Sequence, residues 1–405
     1  MKNKFKVTKE FISKTTFLSF SGLTGESRTA LDARLIRLRR TGMTYREDTC
    51  ALTNNRISKS SKLKVQTKTV FCLLLAAFCL LLIFLSACKP RKEKVYRKSK
   101  ILMDTLVTVT GVSNSKENAE KAIDAALAEI EKLDRLLNFF SPESEVSHIN
   151  KNAGISVIKV TPDMLDVLDM SLMVSKNTEG AFDVTIGPVI TLYDFYKKIK
   201  PEDSVIKKNL SFVNYKDLII DRNESAVFLK KRGMLIDLGG ISKGYAADKA
   251  VEVLKRKGIH AGLVSVAGDI KAFGLKPDGR PWKIGIRNPR AKGQEDDILA
   301  TIELRDMAIS TSGDYERFFI LNGRRYHHLL NPKTGCPAEE SQSVSIITNR
   351  AVFTDAFATG IFILGPEKGM RVLEKMGFDG VIVDSQGKVH ISPNIRGKVE
   401  FKRTP

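Results

Sequence analysis

The chain has 405 residues and a formal net charge of +20, from 66 Lys+Arg against 46 Asp+Glu. A surplus of that size ordinarily raises nucleic acid or anionic lipid as partners. Its distribution argues against nucleic acid: residues 1–88 carry 16 Lys+Arg and 5 Asp+Glu, residues 89–100 carry seven positive charges and one negative, and the remaining body is left at +3.

Residues 1–62 show no clear period and no obvious core, and they precede a complete export pattern. They read either as sequence upstream of the true translation start or as an unusually long leader. The export pattern occupies residues 63–87. Lys62, Lys64 and Lys68 precede an unbroken apolar run from Val70 to Leu85, closed by Ser86, Ala87 and Cys88. A basic flank, an apolar core and a small-residue exit make a signal peptide. The last four residues, Leu85-Ser-Ala-Cys88, resemble a bacterial lipobox, in which Cys88 becomes the lipid-bearing first residue of the mature protein. An uncleaved membrane anchor is the alternative. The expectation is a lipoprotein on the extracytoplasmic, periplasmic side of a bacterial membrane. Residues 88–100 read as a basic linker. Of five cysteines only Cys336 lies in the body, so no disulfide forms within it; in Lys-Thr-Gly-Cys-Pro it reads as a loop residue.

Residues 102–112 alternate like a strand, with Met103 inside it. Residues 114–137 place Ala119, Ala122, Ile123, Ala126, Leu127, Ile130, Leu133 and Leu137 at helical spacing, which predicts a helix of about six turns. A loop at 139–145 follows, then a second helix from Pro162 to about Gly180. Residues 215–229 read as one or two strands and 234–237 as a strand end. Ser242 reads as the cap of a helix over 243–256. Further strands are predicted at 262–266, 282–286, 300–304, 307–310, 318–321 and 343–348. Helices are predicted at 354–364 and 367–376, and a closing hairpin at 381–384 and 389–391. Helices and strands mix without a regular strand-helix-strand repeat, so the body, residues 101–400, reads as one α+β domain.

The stretch from Asp237 to Asp248, Asp-Leu-Gly-Gly-Ile-Ser-Lys-Gly-Tyr-Ala-Ala-Asp, joins a carboxylate, a glycine pair and a lysine at the opening of a helix. Glycines admit close backbone approach, and free amides at a helix start attract anions, so the stretch suits a phosphorylated ligand or else is a tight turn only. Asp355 and Thr359 are four residues apart, so both can lie on one helix face. A carboxylate and a hydroxyl there suit Mg²⁺, or else a helix dipole and a buried Thr. His327 and His328 are adjacent on a strand end and point to opposite faces, so they do not readily hold one metal. His328 is a candidate general base or phosphate contact, or a partly exposed surface histidine. Asp183, in Gly-Ala-Phe-Asp-Val-Thr-Ile-Gly-Pro (180–188), sits in a loop with an aromatic and suits a heterocycle.

Six stretches occur in a fixed order: 180–188, 236–248, Ser-Val-Ala-Gly-Asp (265–269), Ser-Thr-Ser-Gly-Asp-Tyr (310–315), His-Leu-Leu-Asn-Pro-Lys-Thr-Gly (328–335) and Thr-Asp-Ala-Phe-Ala-Thr (354–359). Together they resemble the ApbE family, the FAD:protein FMN transferases, over about residues 100–390. The resemblance implies a single ApbE-like, T-fold-related domain of mixed helices and mostly antiparallel sheet. It implies a Mg²⁺-dependent enzyme that takes FAD as substrate, releases AMP and joins FMN through its phosphate to a Thr hydroxyl of an acceptor protein. By motif position, Mg²⁺ would be held by Asp355, Thr359 and a main-chain oxygen at Gly240. FAD would be contacted by Met103, Phe140, Ala181, Phe182, Asp183, Asp237, Lys243 and Leu330, with His328 and Asp355 catalytic. Family acceptors are flavoprotein subunits of membrane electron-transport complexes and related exported domains, and many members are lipoproteins or exported enzymes. Asp104 stands where the family usually has Gly, and Phe140 where Tyr or Trp is common. A Mg²⁺-dependent FAD pyrophosphatase and a flavin-binding lipoprotein without turnover remain as alternative readings.

Overall fold

The computed structural model describes residues 92–291 and 297–402, together with Phe71 and Leu75, which are helical. The rest of the apolar run, and Cys88, lie outside the described residues. Among the described residues no helix is long and apolar enough to cross a membrane.

The body opens on β1 (Lys94–Leu102) and β2 (Thr105–Ser113), an antiparallel pair joined through Met103 and Asp104. This corrects two expectations. Lys94 to Lys100, read as linker, is strand. Its charge concealed it, and Lys98 and Lys100 are matched by Asp124 at 2.5 Å and Glu131 at 2.6 Å on the following helix. Met103 is not in a strand but in the turn, where it and Asp104 both adopt positive φ, 51° and 56°. A two-residue hairpin turn needs that backbone, which explains why glycine would be at home at position 104.

Next come α1 (Lys116–Leu137), α2 (Glu145–Lys151), β3 (Ile158–Lys159), α3 (Pro162–Asn177), α4 (Gly187–Ile190) and α5 (Asp203–Leu210). The side chain of Ser115 caps α1, and all eight apolar positions read from its period are buried. β4 (Leu218–Asp221) and β5 (Ala226–Leu229) complete a small sheet with β3. Residues 234–237, expected as a strand end, form only one parallel bridge, Leu235 to Ile186. α6 (Ser242–Arg256) begins one residue before expectation; Ser242 is its first residue rather than its cap, and Ile241 precedes it with no side-chain cap.

The remaining strands are β6 (Gly262–Val266), β7 (Asp269–Phe273), β8 (Trp282–Arg287), β9 (Ile298–Leu304), β10 (Ala308–Gly313), β11 (Phe318–Leu321), β12 (Arg324–His327) and β13 (Ser341–Thr348). Then follow α7 (Ala351–Met376), β14 (Asp379–Asp384), β15 (Val389–Ile391) and β16 (Val399–Phe401). The two helices expected around residue 365 are one element broken at Gly365, whose φ of 79° no helix accommodates, and Pro366 follows with no N–H to give.

An eight-stranded antiparallel sheet, ordered β1-β2-β6-β7-β10-β13-β14-β15, forms the centre. Alternate residues serve opposite faces: Val264, Val344 and Ile382 join the main core under α1, α6 and α7, while Ala272, Ile309 and Val381 face the second sheet, β16-β9-β8. A third cluster of Val189, Tyr193, Ile206, Phe319, Tyr326 and Leu330 carries α4, α5 and the β11–β12 hairpin. The expected α+β class with mostly antiparallel sheet is what the chain adopts.

The contact that matters for the site is between α6 and α7. A Cβ on Gly244 would lie 2.1 Å from the Ala351 carbonyl oxygen and 2.8 Å from Asp355 Cβ. Backbone cannot yield as a flexible side chain does. Gly244→Ala should therefore destabilise the protein by about 1–3 kcal/mol or more, as overpacking does, read as a lower urea midpoint.

Candidate active site

The closeness of α6 and α7 brings the first turn of one against Asp355 on the other. Asp355 is 4% exposed, and its Oδ2 accepts a hydrogen bond of 3.0 Å from Gly244 N–H. Lys243 Nζ lies 3.2 Å from Asp355 Oδ1 and 2.9 Å from Asp269 Oδ2. Asp269 enters from the β6–β7 turn, where Ala267 and Gly268 both have positive φ, 54° and 95°. One turn along α7, Thr359 Oγ1 lies 3.2 Å from Ser312 Oγ on β10. Gly240 closes the group: a Cβ there would lie 3.3 Å from Phe182 Cε2 and 3.5 Å from Thr359 Oγ1. Segments far apart in sequence thus converge on one glycine turn.

The electrostatics follow from burial. Asp355 is pushed up to about 6, chiefly by burial and then by Asp269, against the pull of Lys243 and the Gly244 N–H. Burial opposes the charge of Lys243, yet Asp269 and Asp355 outweigh it and hold the ammonium above its ordinary range. Burial also raises Asp237, whose Oδ1 accepts from Gly239 N–H at 2.7 Å and which Arg317 and Lys243 pull the other way. His328 is lowered to about 3 by burial, then by the charge of Arg317, so it is neutral at physiological pH. Its Nδ1 lies 3.4 Å from the Arg317 carbonyl. With the proton on Nδ1, Nε2 is left with its lone pair.

The adjacent histidine turns inward, as the strand period requires. His327 is 3% exposed, donates through Nε2 to the Ala338 carbonyl at 2.9 Å and meets Phe362 edge-on. It is a core residue.

The other residues expected at the site fall into two groups. Ala181 and Phe182 are buried, the latter against α7 at Gly360. Asp183 is also buried, and its carboxylate is committed to Thr185 N–H, Thr185 Oγ1 and Tyr215 N–H at 2.8, 2.6 and 2.9 Å. Leu330 is buried in the third cluster. Met103 and Phe140 stand on separate turns, and Phe140 is 78% exposed with Phe139 edge-on beneath it. A polar relay ties these two together: Met103 N–H to Asp134 at 2.8 Å, Asp134 to Asn138 at 3.5 Å, and Asn138 to Phe140 N–H at 2.8 Å.

The matching of this chain to known proteins decides the family. The model of the ApbE family matches residues 103–382. The chain belongs to the ApbE family. It is 30% identical over 304 residues to a protein of Haemophilus influenzae named FAD:protein FMN transferase, covering 72% of this chain and 86% of that one. A protein of the same name from Treponema pallidum is 31% identical over 329 residues, covering 76% and 90%. The crystal structure of the ApbE protein from Thermotoga maritima aligns with a TM-score of 0.70 at 31% identity, over 75% of this chain and 99% of that one. The expectation of a flavin-transferring enzyme is met at the level of the family.

Sequence reasoning placed no role on Asp269, Asp248, Ser312 or Arg317. Asp269 ends the Ser-Val-Ala-Gly-Asp stretch, which the sequence marks only as one of six ordered motifs and not by its partner Lys243. Asp248 accepts from Ala351 and Val352 N–H at 2.9 and 3.1 Å and so caps α7, which has no side-chain cap of its own.

Among the described residues no three His, Cys, Asp or Glu side chains cluster to hold a metal. A cation here needs a mixed set of oxygens. The Asp355 carboxylate, the Thr359 hydroxyl and the main chain at Gly240 are hard donors of the kind Mg²⁺ takes while keeping water and phosphate oxygens. Two buried carboxylates sharing one ammonium leave negative charge in excess. The residues fit a small divalent ion.

Because the fold raises Asp355 above its unfolded value, the protonated form is favoured, and that contribution is lost as pH rises through about 6. In metal-free buffer, Asp355→Asn should therefore gain stability relative to the unmodified protein as pH rises from 4 to 7. Urea midpoints that keep a constant difference across that range would contradict the assignment.

Proposed function

We propose that the protein transfers FMN from FAD to a threonine hydroxyl of an acceptor protein in a Mg²⁺-dependent reaction that releases AMP. The observation that carries the reading is the convergence of Lys243, Asp355 and Thr359 around the turn at Gly240, within the fold of a family whose relatives bear that name. A bond forms between the threonine oxygen and the phosphorus of the FMN half. The bond from that phosphorus to the bridging oxygen breaks, and AMP leaves with the oxygen.

The chain's own groups have distinct parts. Lys243 supplies a fixed positive charge toward the phosphates. His328, neutral and with Nε2 able to accept, takes the proton of the attacking hydroxyl. Met103 and Phe140, linked through Asp134 and Asn138, would contact FAD by motif position, as would Ala181, Phe182, Asp183, Asp237 and Leu330. A magnesium ion held by Asp355, Thr359 and Gly240 would spread the phosphate charge during the transfer.

The assay is incubation with FAD, Mg²⁺ and an acceptor domain, followed by mass spectrometry. The acceptor should gain the mass of FMN, and Asp355→Ala should lower the rate at least about a hundredfold, as loss of a metal's charge stabilisation would. Free FMN and AMP with no mass on the acceptor would instead mark a pyrophosphatase. FAD bound without turnover would mark a storage protein.

We also propose that the mature protein is held by lipid on Cys88 at the extracytoplasmic face of the membrane, facing flavoprotein subunits of electron-transport complexes. The support is the lipobox-like Leu-Ser-Ala-Cys sequence behind an apolar run. Cys88→Ala should move the protein from the membrane fraction to the soluble fraction or leave the precursor uncleaved. Unchanged processing and fractionation would rule the anchor out.

A further inference from the structure

The two carboxylates at the site are not equivalent. Asp355 Oδ2 is engaged by Gly244 N–H at 3.0 Å, which leaves Oδ1 as the oxygen open to a metal. Oδ1 is also the nearer oxygen to Lys243 Nζ, at 3.2 Å. An ammonium and a divalent ion against one carboxylate repel strongly in a partly buried site, where solvent screens little. Lys243 must therefore leave Asp355 when a metal arrives. It cannot move far, because it sits on the first turn of α6. Asp269 Oδ2 already holds it at 2.9 Å, and Asp269 is 5% exposed and fixed by the β6–β7 turn.

We propose that Asp269 is a positioning residue for metal loading: it retains Lys243, whose Nζ also lies 3.4 Å from the Gly239 carbonyl, when a divalent cation takes Asp355, so the ammonium passes from two carboxylates to one without leaving the site. In the metal-free protein Lys243 serves as the internal counter-ion of both carboxylates. In the loaded protein it stays beside the metal as a second positive charge, directed at the phosphates. The inference rests on the reading of Asp355 as a metal ligand.

The test is the binding of Mn²⁺ alone, without flavin, to the full chain, followed by the electron paramagnetic resonance signal of the free ion. Asp269→Asn leaves Asp355 as the only carboxylate beside Lys243 and should weaken Mn²⁺ binding about tenfold, within the usual range of coupling between two bound species. Lys243→Met removes the competitor and should tighten it. In a Lys243→Met background, Asp269→Asn should cost a clearly smaller factor, because no ammonium remains to be held. An equal or larger factor in that background would make Asp269 a direct ligand or a mere background charge and overturn the proposal. So would unchanged binding by Asp269→Asn. If Asp269→Asn does not fold, Lys243→Met alone decides: unchanged or weaker Mn²⁺ binding overturns the exchange. An unmodified protein that binds no Mn²⁺, and transfers FMN equally well without Mg²⁺, would remove the metal reading itself, a result distinct from these.

Discussion

At Gly244 the first turn of α6 runs so close to α7 that each helix supplies what the other lacks. Neither has a side-chain cap of its own. Asp248, on the second turn of α6, receives the Ala351 and Val352 N–H groups that open α7. Asp355, on the second turn of α7, receives the Gly244 N–H that opens α6. Unsatisfied amides at a helix start are costly when buried, and a capping side chain is worth about 1 kcal/mol. The exchange is therefore reciprocal, and it works only without a side chain at 244. The same approach that satisfies the amides sets Asp355 beside Lys243.

The third hydrophobic cluster does for His328 what α7 does for Asp355. Tyr193, Phe195, Phe319 and Tyr326 follow one another ring to ring at 5.3–6.1 Å. The Tyr193 hydroxyl donates to the Gly335 carbonyl at 2.9 Å, pinning the far end of the turn that follows β12. His327 anchors the near end in the core. Between these ends His328 is held at Arg317 by its backbone and its ring. Sheet period sends one histidine in and the next out, so a core residue and a candidate base come from one dipeptide.

Much of this was legible in the sequence where a single segment carried the signal. The apolar period of α1 located all its buried residues, and the glycine pair with Lys243 located the turn. Asp355 and Thr359 were readable as one helix face. What the sequence did not disclose depends on partners distant in the chain. β1 looks like a basic linker until α1 supplies Asp124 and Glu131. The 234–237 stretch is apolar enough for a strand, yet its backbone neighbours belong to a loop. Asp269 lies 26 residues from Lys243 and 86 from Asp355, so no local period could join them. Nor could spacing show that Met103 and Phe140 are tied through Asp134 and Asn138.

Asp248 and Asp355 also bear on why a site of this kind costs stability. Both are raised by burial, which disfavours their ionised forms. For Asp248 the main opposition comes from the two amides it caps, and the group is purely structural. Asp355 has one amide, a shared lysine and a second carboxylate nearby, so its charge is poorly compensated until something positive arrives. A hydrophobic pair at the same place would pack the two helices as well and would bind nothing. The excess negative charge is what would let this helix contact hold a cation, and a bound cation would relieve the instability that the charge introduces.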